Sequence, residues 1–177
     1  MYVKFKDISK TRASWDEIYL FKAACMATMS HCVSRKVAAI IVKNGREIAT
    51  GINGTPENCT NCDEIFPPKN SCDYNRDEHH QFQLMHEIHA EMNAIAFAAK
   101  NGISTNKATL YCTTEPCNDC LKAIIAAGIK RVVYSEKYSY AHRDKLMLAN
   151  LNKLGIKVEH IPIKIKFAVN TINEKTK

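Results

Sequence analysis

The 177-residue sequence lacks an apolar run long enough to span a membrane. Its uninterrupted apolar stretches, such as residues 37–42, fall far short of the roughly 20 residues that a spanning helix needs. It also lacks an apolar signal core with a small-residue cleavage pattern after Met1, so we expect a cytoplasmic protein. Internal repeats and linkers are missing, and the content of 46% hydrophobic and 24% charged residues argues against disorder. These absences predict a single domain over residues 1–177.

Cysteine and positive charge, by contrast, are abundant. Eight cysteines are too many to be incidental in a reducing compartment, where disulfides rarely persist, so we expect some thiols to bind metal or act in catalysis. The 25 basic and 18 acidic residues leave a formal net charge of +7. That charge suits an anionic partner, either a nucleic acid or a phosphorylated small molecule, and composition does not choose between them.

Capping and turn signals predict the first elements. Ser14 and Glu17 form a capping box, which opens a helix expected to end near residues 30–32. The apolar spacing in this helix predicts one buried stripe, made of Ile18, Phe21, Cys25 and Met29. Residues 37–42 and 47–50 have the composition of strands, and Asn44-Gly45 between them predicts a tight hairpin turn. A turn-rich segment follows over residues 51–56.

The second half of the chain alternates strands and helices. Helices are predicted from residue 87 to Lys100, from Pro116 to Gly128, and before Gly155, the last with Met147, Leu151 and Leu154 on one face. Strands are predicted at residues 108–113, 130–135 and 156–161. This order implies parallel neighbours with right-handed crossovers, and with the hairpin it predicts an α/β fold whose mixed sheet has about five strands. Residues 1–13 should be irregular, and residues 163–167 could form an edge strand.

Residues 57–86 interrupt this pattern as a Cys/His-rich insert with little apolar periodicity. We expect a long loop there, and a loop of this length inside a compact domain is usually functional or held by a staple. The insert is rich in side chains that could bind a metal: Cys59, Cys62, Cys72, His79, His80 and His86.

Two short motifs carry the chemistry. Cys117 and Cys120 are three residues apart at a predicted helix start, so their side chains should project from one side of the helix. The positive end of that helix favours the thiolate form, which is the form that binds metal. Two thiolates and the neutral imidazole of His89 would balance Zn²⁺ and leave one tetrahedral position open for water, whose pKa the metal lowers to about 7.

Glu91 is the predicted acid–base group. It lies two residues from His89, about 200° around a regular helix, so both side chains cannot point squarely at one metal. This spacing argues against Glu91 as a ligand. A carboxylate beside the metal can instead take a proton from the bound water and pass it to a ring nitrogen and to the leaving ammonia.

Each motif alone has a simpler interpretation. A Cys-x-x-Cys pair can be a redox pair or half of a structural zinc site, and most His-x-Glu matches are surface accidents. Cys112 lies inside a predicted strand and Cys25 on an apolar helix face, so both are expected to be ordinary buried thiols. The two motifs together, each opening a helix in an alternating α/β chain, match the pattern of zinc-dependent nucleobase deaminases.

On these residues the chain resembles the cytidine deaminase superfamily and, more narrowly, the deoxycytidylate (dCMP) deaminases of phages and bacteria. The matching segments are residues 51–56, 87–95, 111–120 and 122–130. The match extends from about residue 14 to residue 162, with the 57–86 insert variable. The resemblance implies a three-layer α-β-α fold, Glu91 as the catalytic residue, and one zinc held by His89, Cys117 and Cys120.

The resemblance also implies an activity and its control. It implies hydrolysis of dCMP to dUMP and ammonia for thymidylate synthesis, in a homohexamer activated by dCTP and inhibited by dTTP, with Mg²⁺ accompanying these triphosphates. The compartment would be the cytoplasm, that of the host for a phage member. Neither a membrane nor a nucleic acid is expected as a partner.

Family positions for the nucleotide and the effectors carry over with one departure. The effector positions match Gly51, Ile52, Asn53, Gly54 and Lys100, and Asn53 also matches the position that holds the nucleotide sugar. The family usually has Tyr or Trp where this chain has Ile52, and an aliphatic side chain cannot stack on a base as an aromatic can. Lys100 could equally be an ordinary charge at a helix C-terminus.

Phage members of this family carry a second zinc, and its ligands match Cys32, Cys62, His79 and Glu87. Independently of the family, the insert has too little apolar content to order itself, and a metal would attach it to the domain. Other ligand sets remain open, drawn from Cys59, Cys72, His80 and His86. The simplest alternative is that all these side chains face solvent.

A 5′-phosphate would need basic or hydroxyl partners, and Ser34, Arg35, Lys36 and Lys137 lie near predicted strand ends. Tyr138 could line the base pocket, although a core tyrosine is an equal alternative. Two other functions stay open: a nucleic-acid deaminase acting on tRNA adenosine, which the net charge would suit, and a non-catalytic zinc-stabilised scaffold. The insert and the G-x-N-G segment favour a mononucleotide substrate, and a scaffold has no need of Glu91.

Overall fold

The computed structural model describes residues 12–138 and 143–163, with six helices and five strands in these ranges. The helices are α1 (Trp15–Ala27), α2 (Cys62–Ile65), α3 (Arg76–His86), α4 (Ala90–Lys100), α5 (Asn118–Ala126) and α6 (Lys145–Lys153). The strands are β1 (Ala38–Lys43), β2 (Arg46–Ile52), β3 (Thr109–Thr114), β4 (Arg131–Glu136) and β5 (Lys157–His160). None of these helices is long and apolar enough to cross a lipid bilayer.

The strands form one mixed sheet in the order β2-β1-β3-β4-β5. β1 is antiparallel to β2 and β3, whereas β3, β4 and β5 are parallel to one another. Asn44 and Gly45 join β1 to β2 with φ values of 53° and 70°, the left-handed conformations that a tight hairpin requires. The predicted mixed sheet of about five strands is confirmed.

Helices cover both faces of the sheet. On one face, Leu20 and Ala23 of α1 pack into a cluster with residues of β1, β3 and β4. On the other face, Ala94 and Ala98 of α4 and Ile124 of α5 pack against the same three strands. α6 packs beside α5. This α-β-α layering agrees with the predicted fold.

The predicted buried face of α1 is wrong. Ile18, Phe21 and Cys25 are only half-buried and Met29 is exposed, while the buried residues are Tyr19, Leu20, Ala23 and Ala27. Apolar residues surround this helix, so their spacing does not choose a face. Close packing on the sheet does, because it favours the side that carries small alanines. α1 also ends at Ala27, earlier than predicted.

The 57–86 insert is not the structureless loop that its composition predicts. It contains α2 and α3, and α3 begins where the Asn75 side chain accepts hydrogen bonds from the backbone N–H groups of Asp77 and Glu78. α3 is polar on nearly all sides and buries only His79, so apolar periodicity could not reveal it. Its capping signal was the available clue.

Two helices begin later than predicted. α4 starts at Ala90 with His89 as its N-cap, and α5 starts at Asn118 with Cys117 as its N-cap. Pro116 therefore precedes α5 and is not its first helical residue. In α6, Leu151 is buried as predicted, but Leu154 lies beyond the helix and is 42% exposed. The predicted edge strand at 163–167, apart from residue 163, and most of the irregular start at 1–13 fall outside the described residues.

Gly51 sets how closely α4 approaches the sheet. A Cβ atom at this position would lie 2.2 Å from the carbonyl oxygen of Ala90 and 2.4 Å from the backbone nitrogen of Ala94. Only glycine allows this contact between two backbones. The start of α4, and with it His89, is therefore held against the end of β2.

We predict that Gly51→Ala displaces α4 and lowers the free energy of unfolding by about 3 kcal/mol, because overpacking forces backbone movement. Urea unfolding measures the change. Gly54→Ala is the matched control, since a Cβ there has no atom within 4 Å, and it should change stability by less than about 0.5 kcal/mol. Equal stabilities of the two variants would contradict this account of Gly51.

Candidate metal centre and active site

The candidate site lies at one edge of the sheet. β3 and β4 end there and β1 starts there, because β1 runs antiparallel to β3. A short bridge pairs the backbones of Gly54 and Ile88, with N···O distances of 3.2 and 2.8 Å. The Asn93 amide also donates to the carbonyl oxygen of Ile52 at 2.7 Å. These bonds attach the G-x-N-G segment to the residues on either side of His89.

Three predicted zinc ligands meet at this edge. His89 Nδ1 lies 3.3 Å from Cys120 Sγ and 3.5 Å from Cys117 Sγ, and all three atoms lie within 4.8 Å of one another. Ligand atoms around a tetrahedral zinc are about 3.5 Å apart. One nitrogen and two sulfur donors therefore fit zinc and leave a fourth position open.

The electrostatics of this cluster favour a thiolate. Cys117 and His89 cap α5 and α4, so the positive ends of two helices point at the cluster. Hydrogen bonds from Cys120 and His89 lower the pKa of the Cys117 thiol to about 4. A hydrogen bond with Cys117 and burial raise the pKa of the Cys120 thiol. A hydrogen bond with Cys117 also raises the pKa of His89. The cluster thus holds one thiolate readily, and a cation would favour the second.

Glu91 lies in the first turn of α4 and is only 4% exposed. Its carboxyl group contacts the thiols of Cys120 and Cys112, and burial raises its pKa. The helical-spacing argument does not apply as stated, because His89 is an extended N-cap residue with ψ 149°. Glu91 still stands beside the three donors and outside their set. Cys112 is buried as predicted, but it also touches this carboxyl group.

A second cluster contains Cys32, Cys62, His79 and Glu87, whose ligand atoms all lie within 4.8 Å of one another. His79 Nε2 is 3.0 Å from Cys62 Sγ and 4.0 Å from Cys32 Sγ. The Oε1 atom of Glu87 is buried and has no hydrogen-bond partner among the residues that the structure describes. A buried carboxylate oxygen without a donor is costly, and a cation would satisfy it. Four such donors fit a closed, structural metal site.

Neighbouring side chains orient this cluster. The Tyr74 hydroxyl lies 2.9 Å from His79 Nδ1, and the Gln83 amide donates to Cys32 Sγ at 3.2 Å and to Glu87 Oε2 at 3.3 Å. Burial raises the pKa of Cys62 to about 12. Sequence reasoning missed Tyr74 and Gln83, although residues 79, 83 and 87 follow the four-residue spacing of one helix face.

The alternative ligands in the insert stay outside both clusters. Their side chains are exposed: Cys59, Cys72, His80 and His86. Within the part of the chain that the structure describes, the two clusters of possible metal ligands contain only residues that the family resemblance implies.

Asn53 organises the loop that precedes β1. Its Oδ1 accepts hydrogen bonds from Ser30 Oγ at 2.7 Å and Val37 N at 2.8 Å, and its Nδ2 donates to the carbonyl oxygen of Arg35 at 3.0 Å. Asn53 is 7% exposed. The Asn53 side chain therefore holds the loop before β1 in position next to the site.

Most of the other predicted nucleotide and effector residues lie around this edge, and Lys100 does not. Ser34 is half-buried in the Asn53-bound loop, and the guanidinium of Arg35 lies 5.4 Å from the ring centroid of Tyr138. Ile52 is half-buried at the end of β2. Lys100 is exposed at the opposite end of α4 from His89, about 15 Å along the helix axis, so it does not join this cluster.

Known proteins share this architecture and these motifs. Residues 13–136 match the family model of the cytidine and deoxycytidylate deaminase zinc-binding region. The chain is 41% identical to the deoxycytidylate deaminase of Enterobacteria phage T2 over 137 residues, 62% of this chain and 73% of that protein. It is 38% identical to the deoxycytidylate deaminase of Enterobacteria phage T4 over 164 residues, 76% of this chain and 83% of that protein.

A solved structure agrees as well. The crystal structure of dCMP deaminase from the cyanophage S-TIM5 in complex with dCMP and dUMP superposes with a TM-score of 0.65 and 33% identity, covering 85% of this chain and 99% of that one. Fold and site together define a zinc-binding α/β deaminase. The chain belongs to the cytidine and deoxycytidylate deaminase family.

Proposed function

We propose that the protein hydrolyses dCMP to dUMP and ammonia, with zinc held by His89, Cys117 and Cys120. The observation that carries the proposal is the buried Glu91 carboxyl group beside a three-donor cluster with a free fourth position. A purely structural zinc site would not need that carboxyl group. The named activity of the phage relatives supports dCMP as the substrate.

Zinc at this site would supply a Lewis acid that lowers the pKa of a water molecule. Glu91 would take one proton from the attacking water and deliver it to a ring nitrogen, and it would then move the second proton of that water from the new hydroxyl to the amino group, which leaves as ammonia. The first turn of α4 holds the carboxyl group rigidly, and its burial excludes bulk water from the proton path.

We propose that the substrate lies beside three further residues, Asn53, Ser34 and Tyr138. Asn53 holds the loop that carries Ser34, so it shapes the wall where the sugar would lie. Tyr138 lies just beyond β4 at the same sheet edge. The base and the sugar would therefore occupy the space between this loop and the start of α5.

We infer that Cys32, Cys62, His79 and Glu87 hold a second, structural zinc. Three observations support this: the four converging donors, the orphaned Glu87 oxygen, and the polar insert that they connect to the domain. Cys32 comes from the loop after α1, whereas the other three belong to the insert or its end. A metal here would attach α2 and α3 to the rest of the chain.

Control by dCTP and dTTP with Mg²⁺, assembly into a homohexamer, and a cytoplasmic location stay predictions from the family resemblance. The close packing of Gly51 against α4 is enough to explain why glycine occupies this position. The backbone of Gly54 pairs with that of Ile88. The effector segment therefore connects directly to the residues before His89. An effector that moved this segment would act on the zinc ligand through one backbone bridge.

The function is tested by offering purified protein dCMP, CMP, deoxycytidine and tRNA, with and without dCTP, and recording ammonia release. We expect dCMP to give the highest kcat/KM. Release from tRNA alone would overturn the proposal in favour of a nucleic-acid deaminase. No release from any substrate by zinc-loaded protein would favour a scaffold.

We predict that Glu91→Gln keeps zinc but lowers kcat for dCMP about 10²- to 10⁴-fold, because the amide cannot transfer a proton. Ammonia release measures kcat, and elemental analysis measures zinc. Glu57→Gln, at an exposed position, is the matched control and should have normal activity. Normal turnover by Glu91→Gln would show that this carboxyl group is not the acid–base catalyst.

We predict two zinc ions per chain in the wild type and one in His79→Ala, since the buried imidazole is a ligand of the second site. The adjacent exposed His80 supplies the control, and His80→Ala should retain both ions. Elemental analysis after gel filtration gives the stoichiometry. One zinc per wild-type chain, or an equal loss in both variants, would rule out the second site as drawn.

A further inference from the structure

Arg143 and Glu115 form a buried ion pair that the sequence motifs do not reveal. Arg143 NH1 bonds to Glu115 Oε1, and the two side chains are only 13% and 10% exposed. The remaining guanidinium nitrogens of Arg143, Nε and NH2, are also buried, but they have no hydrogen-bond partner by geometry within residues 12–138 and 143–163. The Tyr134 side chain also interacts with both members of the pair. A buried guanidinium edge without an acceptor is unfavourable, and it indicates a group that this edge is built to receive.

The pair lies at the catalytic edge of the sheet. Glu115 is two residues before Cys117, and its backbone N–H donates to the carbonyl oxygen of Glu136 at 2.8 Å. Its Oε2 accepts the backbone N–H of Tyr138 at 3.3 Å. Glu115 thus joins the ends of β3 and β4 and holds Arg143 against the segment that leads into α5.

Arg131 provides a comparison, because its ion pairs have only a structural role. Arg131 donates from NH1 and NH2 to the two oxygens of Asp16 at 2.7 and 2.8 Å, and its Nε bonds to Glu159. All faces of that guanidinium are used. Arg143 uses one nitrogen for its carboxylate and leaves a free edge of two.

The free edge has the chemistry of a phosphate site. Nε and NH2 present parallel N–H donors that match two oxygens of a phosphate group. The charges of Arg143 and Glu115 cancel, but Arg35 supplies a further cation nearby, with its guanidinium 5.4 Å from the ring centroid of Tyr138. The Glu115 carboxylate therefore holds the backbone of Tyr138, and the ring of Tyr138 contacts Arg35.

We propose that Arg143 binds the 5′-phosphate of the nucleotide substrate through Nε and NH2, with Glu115 holding the guanidinium in position. This proposal rests on the mononucleotide deaminase function proposed above. Arg143 would then determine specificity, distinguishing a nucleotide from the free nucleoside, without taking part in the proton transfer at Glu91.

The test compares ligands with and without the phosphate. Calorimetry measures binding of dUMP and deoxyuridine, and ammonia release gives KM and kcat for dCMP and deoxycytidine. Arg143→Gln should weaken dUMP binding and raise KM for dCMP by about 10- to 100-fold, the range of lost charge-assisted hydrogen bonds. Deoxyuridine binding, and kcat for dCMP, should stay within about threefold of the wild type. Arg143→Lys, which keeps the charge but loses the fork, should give an intermediate loss.

Removing one partner of a buried pair can also destabilise the fold, so a double variant separates the two effects. Glu115→Gln/Arg143→Gln leaves no unpaired buried charge and should regain thermal stability while dUMP binding stays weak. Lys153→Gln removes an exposed positive charge from α6 and should leave dUMP binding unchanged.

Four results would overturn the role of Arg143. They are normal dUMP binding by Arg143→Gln, equal weakening of dUMP and deoxyuridine, recovery of dUMP binding in the double variant, and loss of only the dCTP response. A wild type that neither deaminates dCMP nor binds dUMP would instead overturn the proposed function itself. The two failures are therefore distinguishable.

Discussion

The close approach of α4 to β2 is the constraint on which the rest of the site depends. A glycine at position 51 lets the helix backbone meet the strand backbone, and the bridge between Gly54 and Ile88 continues this contact to the residue before His89. His89 and Glu91 therefore lie at the start of a helix that is held in a fixed position against β2. α5 packs against the same layer and brings Cys117 and Cys120 to meet them. A rigid three-donor set with a buried carboxyl group is the result.

The two donor clusters are separated by very little chain. Glu87 belongs to one and His89 to the other, and the intervening Ile88 is held by its bridge to Gly54. A metal bound to Glu87 would thus anchor the segment that delivers His89. With that metal bound, the polar insert, which buries little apolar surface, would be connected to the segment that carries His89.

Local signals in the sequence predicted the elements that short-range chemistry sets. The Ser14–Glu17 capping box, the Asn44-Gly45 turn and the alternation of strands and helices all form as expected, because each depends on neighbours within a few residues. The face of α1 was missed because apolar side chains surround it. α3 was missed because it is polar, and its one buried side chain, His79, is buried by a long-range contact with Cys62.

The spacing of His89, Glu91, Cys117 and Cys120 was enough to predict that these side chains come together, since each pair lies at one helix start and the α/β order brings both starts to one sheet edge. Long-range packing settled what spacing could not. It buried His79 and Cys62 and left His80 and Cys59 exposed, and it brought Arg143 to Glu115. Neighbours along the chain look alike in composition, and only burial against distant segments brings one of them into a cluster of possible ligands and leaves the other in solvent.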